Sequence, residues 1–222
     1  MRTRASATRA SRVVVSVSLW GDNPKYEKGA VALVAQTRAF TPYEVWVHVD
    51  KSVRPPTRAL LTRVGARVVD CSHMAHLQNS ATNPRAGALW RYAPMADPTV
   101  DVVIVHDVDN VCETHMLLQW VSMSTTKSVL FPWYDRFSDK PLEPFERRRM
   151  VEGRYLLANM VVRWPLAADI MTYADAFART HALVYGTDEQ FVTRYMATRA
   201  TLDNTYFVHL LLNSSGGNME AD

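Results

Sequence analysis

Two aspartates one residue apart, Asp107 and Asp109, end the run Val100-Asp101-Val102-Val103-Ile104-Val105-His106. Carboxylates are hard oxygen donors, and an all-oxygen pair suits Mg2+ or Mn2+ rather than structural zinc. In an extended chain alternate residues share a face, so the two acids would point the same way. They would still lie ~6.6 Å apart along a strand, so gripping one ion requires the chain to turn there. A cation held by only two protein carboxylates keeps open positions, which substrate phosphates usually fill. The competing reading is a pair of loop acids that cap the next helix or are simply solvated. His106 falls on the opposite face and reads as structural.

The elements that must place this pair form a regular series. Residues 13–19 are β-branched and apolar, with strand chemistry, and run into the turn Trp20-Gly21-Asp22-Asn23-Pro24. A helix is predicted over 28–39, with Ala30, Leu33, Val34 and Thr37 on one face, then a strand over 44–49 ending at Asp50. Pro55-Pro56 opens a helix through 57–64, Gly65 stops it, and 67–70 is a third strand. This β-α-β-α-β order specifies an α/β fold with a mainly parallel central sheet flanked by helices. Such sheets place ligands at the carboxyl ends of their strands, where Asp107 and Asp109 stand.

Further on, 71–84 reads as a loop and 85–93 as a helix stopped by Pro94 and Pro98. Beyond the aspartates the pattern predicts a helix over 113–124 and strands over 128–131, 155–162 and 206–212. Helices are predicted over 166–181 and over 189–197, the latter capped by Asp188. The stretch 133–154 is irregular, and its aromatic and basic portion 133–137 suits an acceptor pocket or a packed lid equally. The arginines at 147–149 read as a solvated face. No repeat or linker divides the chain. The expectation is one domain over 13–212 between a disordered basic tail, 1–12, and a disordered Gly/Ser-rich end, 213–222.

Composition narrows the function classes. At 222 residues, 48% hydrophobic and 21% charged, the chain is long enough for one sizeable core. The net charge of +3 is a property of the tail, because Arg2, Arg4, Arg9 and Arg12 leave 21 basic against 22 acidic residues in the remainder. A near-neutral body gives no general case for nucleic-acid binding. The acid-free tail also has the composition of a transit peptide, but it lacks a long amphipathic run. No segment approaches the ~20 apolar residues of a membrane span. Cys71 and Cys112 have no metal-type spacing and read as buried thiols of a reducing compartment, so a cytoplasmic protein is expected.

Taken in order, Leu19-Trp20-Gly21-Asp22-Asn23, Val49-Asp50, Trp90-Arg91-Tyr92, Asp107-Val108-Asp109 and Gly186-Thr187-Asp188-Glu189-Gln190-Phe191 resemble the GT-A-fold glycosyltransferases. These are small metal-dependent enzymes that use nucleotide-sugar donors, and the resemblance spans about residues 13–210. It implies a single GT-A-like, Rossmann-like domain and a D-x-D motif at Asp107-Val108-Asp109. Asp109 would be the direct ligand of Mn2+ or Mg2+, and Asp107 would face the donor ribose or sugar and share the metal. Leu19, Trp20, Gly21 and Asp22 would line the nucleoside, with Trp20 near the base and Asp50 accepting a base or ribose hydrogen bond. Arg91 would contact the donor; the competing reading is a surface ion pair. His209, between Val208 and Leu210, would complete the metal shell, or it is a satisfied core histidine.

The implied reaction moves a hexosyl or pentosyl group from a nucleoside-diphosphate sugar, UDP-sugar favoured over GDP-sugar, to an acceptor hydroxyl on a glycan or other molecule. Asp188 or Glu189 would accept the hydroxyl proton as general base, and nothing in the sequence separates them. Two alternatives remain. A nucleotidyltransferase can use carboxylate-bound Mg2+ on a related sheet, but usually carries a Gly-rich, basic loop where this chain has Trp20-Gly21-Asp22-Asn23-Pro24. A non-catalytic nucleotide- or sugar-binding module would keep the fold without turnover.

Overall fold

The computed structural model describes residues 11–81, 83–109, 118, 121–122, 128–130, 133–135, 154–156, 160–163, 168–183, 186–199 and 205–207. Strand β1, Val13–Leu19, is buried along its whole length, as its apolar run requires. Helix α1, Pro24–Phe40, starts a turn earlier than periodicity suggests. The Asn23 side chain accepts from the Lys25 N–H at 2.9 Å, and Pro24 needs no amide partner in the first turn. Strand β2, Glu44–Val49, helix α2, Pro55–Arg63, and strand β3, Ala66–Asp70, follow as the β-α-β-α-β order predicts.

A short 3-10 turn, Ala75–Leu77, interrupts the loop expected over 71–84. The helix expected over 85–93 is a 3-10 segment, Ala86–Ala96, that runs through Pro94 instead of stopping before it. The central strand β4 covers only Val102–Val105, and the chain turns at Val108-Asp109. Asp107 and Asp109 therefore lie beyond the strand, and the alternation that would put them on one face does not apply. The turn the pair needs is present.

Strands β5, Ser128–Leu130, β6, Trp133–Asp135, β7, Arg154–Leu156, and β8, Met160–Arg163, come next. The strand expected over 155–162 is thus two pieces, and β7 pairs antiparallel with β6 outside the main sheet. Helix α3, Ile170–Thr180, helix α4, Thr187–Arg199, and strand β9, Thr205–Phe207, complete the described elements. Of the helix expected over 113–124, only 118, 121 and 122 are described, and these are helical. Cys112, 136–137, 147–149, His209 and the end 213–222 fall outside the described residues.

The main sheet has seven strands in the order β3-β2-β1-β4-β8-β5-β9. β1 is parallel to both β2 and β4, with Val15 between Val45 and Ile104, while β8 is antiparallel to β4 and β5. The result is the expected mixed, mainly parallel sheet with helices on its faces. Val14, Val15, Val17, Val47 and Val49 are fully buried, each contributing roughly 1.5–3 kcal/mol of apolar burial. Arg12 belongs to this body and not to the tail. Its amide donates to Asp101 Oδ2 at 2.6 Å, and its guanidinium grips Glu44 at 2.6 and 2.9 Å. Arg12 pulls the Glu44 carboxyl down to about 2. Cys71 is a buried free thiol, pushed up to about 12 by desolvation. Among the described residues no helix is long and apolar enough to cross a membrane.

Candidate active site

β1 and β4 are adjacent and parallel, so the turns that leave them, 20–23 and 106–109, open at the same edge of the sheet. A cleft of about 500 Å3 lies there, within the range of small-ligand sites. Leu19, Trp20, Gly21 and Asp22 form one side of it, and Asp107, Val108 and Asp109 another. Arg91, Gly186, Asp188 and Glu189 also line it. The structure thus brings together in one cavity most of the residues that the sequence singled out. Asn23 lines it as well, together with Ser18, Tyr26 and Arg85, which sequence reasoning passed over. The Asn23-Pro24 pair, a good helix start, is the signal that would have put Tyr26 one turn inside α1 and beside the cleft.

Helix α1 is pressed against the aspartate turn at Gly29. A Cβ built there would meet the Val108 carbonyl oxygen at 2.3 Å and the Asp109 Cα at 3.2 Å. Only a glycine permits this approach of helix and turn. Glu27, two residues before Gly29 on α1, is buried and accepts from Arg54 and from Thr57 Oγ1 at 2.9 Å, tying α1 to α2.

Asp50 holds this edge without lining the cleft. It is 4% exposed; the Ser52 amide and hydroxyl donate to its Oδ1, and Asn79 Nδ2 donates to Oδ2 at 3.3 Å. Ser52 Oγ accepts in turn from the Gly21 N–H at 2.7 Å. Asp50 therefore fixes the loop after β1 through Ser52. Trp20 packs edge-on against Trp90, with centroids 6.3 Å apart and planes at 81°, leaving part of its ring in the cleft.

Arg91 is at the centre of the charged cluster. Its side chain is 5% exposed, with Nη1 on Asp107 Oδ1 and Nη2 on Asp188 Oδ2. The surface ion pair is thereby excluded. Burial opposes the Arg91 charge, but the Asp107 and Asp188 carboxylates outweigh it and hold the guanidinium protonated. The backbone of Arg91 is fixed from below. Ser16 Oγ donates to the Arg91 carbonyl at 2.6 Å, and His48 Nε2 lies 3.1 Å from Ser16 Oγ. With the hydroxyl proton on the carbonyl, His48 must donate from Nε2, which leaves Nδ1 to face the Cys71 thiol at 3.8 Å. His48 is fully desolvated, and its pKa falls to about 3. His106 is buried too, with Nδ1 2.8 Å from the Asp107 carbonyl, in keeping with a structural role.

Gly186, at φ 80°, makes the turn that starts α4 at Thr187, so Asp188 lies inside the first helical turn and not at the cap. Its carboxylate reaches Arg91 instead. Glu189 behaves differently from its neighbour. Desolvation, helped by a hydrogen bond and repulsion from Asp188, raises its pKa well above the ordinary carboxyl range. Its Oε2 is buried with no partner, as are Ser18 Oγ and Arg91 Nε beside the same cleft. The two acids that the sequence left equivalent are thus an ion-paired Asp188 and a desolvated Glu189 whose pKa is raised.

Among the described residues no group of three or more His, Cys, Asp and Glu side chains forms a protein metal cage. The aspartate turn is nevertheless suited to a hard cation. Asp107 and Asp109 are 44% and 32% exposed at one cleft, and the Lys25 ammonium rests 3.1 Å from Asp109 Oδ2 as a monovalent cation already does. An ion there would draw its remaining ligands from phosphate and water. His209, the further metal ligand expected from the sequence, lies outside the described residues.

No protein-family profile matches the sequence, and no curated protein matches it. Solved structures do match. Glucosyl-3-phosphoglycerate synthase from Mycobacterium tuberculosis, in complex with Mn2+, UDP and glucosyl-3-phosphoglycerate, superposes with a TM-score of 0.58 at 16% identity, over 90% of this chain and 70% of that one. The same synthase with Mn2+, UDP-glucose and glycerol 3-phosphate gives the same values. The 4-diphosphocytidyl-2C-methyl-D-erythritol synthase from Anaerococcus prevotii matches with a TM-score of 0.54 at 11% identity, over 90% of this chain and 89% of that one. At such identities the likeness is one of fold, and this chain has the GT-A-type fold of those transferases.

Proposed function

We propose that the protein is a divalent-cation-dependent glycosyltransferase that moves a sugar from a nucleoside-diphosphate sugar, preferably a UDP-sugar, to an acceptor hydroxyl. The observation that carries this reading is the meeting of the Asp107–Asp109 turn with Asp188 and Glu189 across one cleft, with Arg91 between them. Asp107 and Asp109 would hold Mn2+ or Mg2+, which when bound supplies Lewis-acid stabilisation of the departing diphosphate. Leu19, Trp20, Gly21 and Asp22 bind the nucleoside in the trough beyond β1. Arg91 orients Asp107 and Asp188 and adds positive charge near the phosphates. Asp188, an ion-paired carboxylate at the cleft, accepts the proton of the acceptor hydroxyl. Glu189 hydrogen-bonds a hydroxyl of the bound sugar. The acceptor is a glycan or another hydroxyl-bearing molecule.

A nucleotidyltransferase is the second reading, favoured by the fold likeness to the Anaerococcus enzyme. Its chemistry would release pyrophosphate. Incubation with nucleotide-sugars and hydroxyl acceptors, and separately with nucleoside triphosphates, each with and without Mn2+, separates the readings. Metal-dependent release of nucleoside diphosphate, lost in Asp109→Asn, is the expected result. Pyrophosphate release from a nucleoside triphosphate would move the protein to the second reading, and tight UDP binding without any release would make it a binding module.

A further inference from the structure

The aspartate turn is served by a second cation besides Arg91. Lys25 Nζ lies 3.1 Å from Asp109 Oδ2. Packing sets this pair: Gly29 is seated against Val108 and the Asp109 backbone, and Lys25 is one helical turn ahead of Gly29 on the same face of α1. The Lys25 side chain is 68% exposed, so the ammonium can swing without disturbing the core. Asp22, Asn23 and Tyr26, which flank Lys25 in the chain, line the cleft that Asp109 lines.

An ammonium and a divalent ion cannot share one carboxylate cheaply, because like charges would sit within a few ångströms. An exposed lysine–carboxylate pair is weak and yields to a doubly charged competitor. The freed ammonium is a mobile point charge with three donors, well suited to a phosphate oxygen. Resting on the donor-site reading above, we propose that Lys25 is a tethered counter-ion: it neutralises Asp109 when no cation is bound, gives up that carboxylate to an arriving divalent cation, and re-pairs with the diphosphate.

The signature is a pair of opposite shifts. Isothermal titration with Mn2+ alone, then with UDP at saturating Mn2+, is run on the wild type, Lys25→Met, Lys28→Met and Asp109→Asn. Lys28 is exposed on the same helix, so its variant controls for net charge. Lys25→Met is expected to bind Mn2+ about two- to fivefold more tightly, because a competitor is gone. It should bind UDP about three- to tenfold more weakly, because a phosphate donor is gone. Lys28→Met should match the wild type in both titrations. Shifts of Lys25→Met in the same direction, or none, overturn the proposal. If Lys25→Met is inert while Asp109→Asn loses Mn2+, the donor-site reading stands and only the role of Lys25 falls. Unchanged Mn2+ affinity in Asp109→Asn removes both.

Discussion

Arg91 and Asp188 are 97 residues apart in the chain, and their ion pair joins the segment before the central strand to the first turn of α4. The same guanidinium holds Asp107, so one buried side chain spans both halves of the cleft. Arg91→Met would leave the two carboxylates facing each other without their cation. The expected loss is about 3 kcal/mol, with Asp107 partly relieved by solvent. Arg91→Lys keeps the charge but cannot fork to two carboxylates, so about 1–2 kcal/mol should be lost. Urea unfolding at pH 7 measures both. A lysine variant as stable as the wild type would show that the fork is not used.

Glu189 gives a pH test that distinguishes it from Asp188. Its carboxyl pKa is raised in the folded state, so the fold binds this proton more tightly than the unfolded chain does. The linked stability is complete below the unfolded value, near 4.5, and is lost as pH rises toward the raised folded value. Glu189→Gln removes that loss. The variant should melt with the wild type near pH 4 and above it near pH 8, with the gap widening as pH rises. Parallel melting curves across that range would mean that Glu189 is ionised in the fold.

His48 sets an acid limb of the opposite sign. Its folded pKa is lowered to about 3, from 6.5, chiefly by desolvation and secondarily by Arg67. Between these values the unfolded chain binds the extra proton, so stability rises with pH and falls on acidification from 6.5 toward 3. The lowered pKa of buried His106 adds to this slope. His48→Gln can still donate to Ser16 but does not titrate, so its stability should decline less steeply from pH 6.5 to 4. An unchanged acid limb in the variant would assign the slope to other groups.

At an ordinary helical position glycine to alanine stabilises by about 1 kcal/mol. Gly29→Ala should do the reverse, because its methyl group meets the Val108 carbonyl at 2.3 Å and backbone must shift. A loss of about 1–3 kcal/mol in thermal unfolding is expected, together with weaker Mn2+ binding as the aspartate turn moves. A stabilised variant with intact Mn2+ binding would show that the turn is free to retreat.

The sheet was legible because its evidence is local. The unbroken apolar run of β1, the Asn23-Pro24 and Pro55-Pro56 helix starts, and Gly65 each act within a few residues. The 3-10 segment through Pro94 was not legible, since it depends on burying Trp90 and Tyr92 under β1. The aspartate pair, the turn after β1 and Gly186–Glu189 were legible as chemistry, and their order along the chain put them at one edge. The difference between Asp188 and Glu189 could not be read, because Asp188 meets Arg91 from another element while Glu189 is desolvated by tertiary packing. The bonds of Asp50 to Ser52 and Asn79 were hidden too, because those are ordinary polar residues with no motif. Lys25 and Gly29 carry no signal except in contact with Val108 and Asp109.

Strand β8 returns antiparallel beside β5, with Leu130 opposite Met160. The β6–β7 ladder pairs outside the sheet, while Leu130 and Met160, between which it falls in the chain, are neighbours at the edge where β4 delivers Asp107. Those two points are fixed relative to each other, whatever lies between them. Exchange of the intervening segment for a longer or shorter one leaves the Val13–Asp109 scaffold, and with it the aspartate turn, in register.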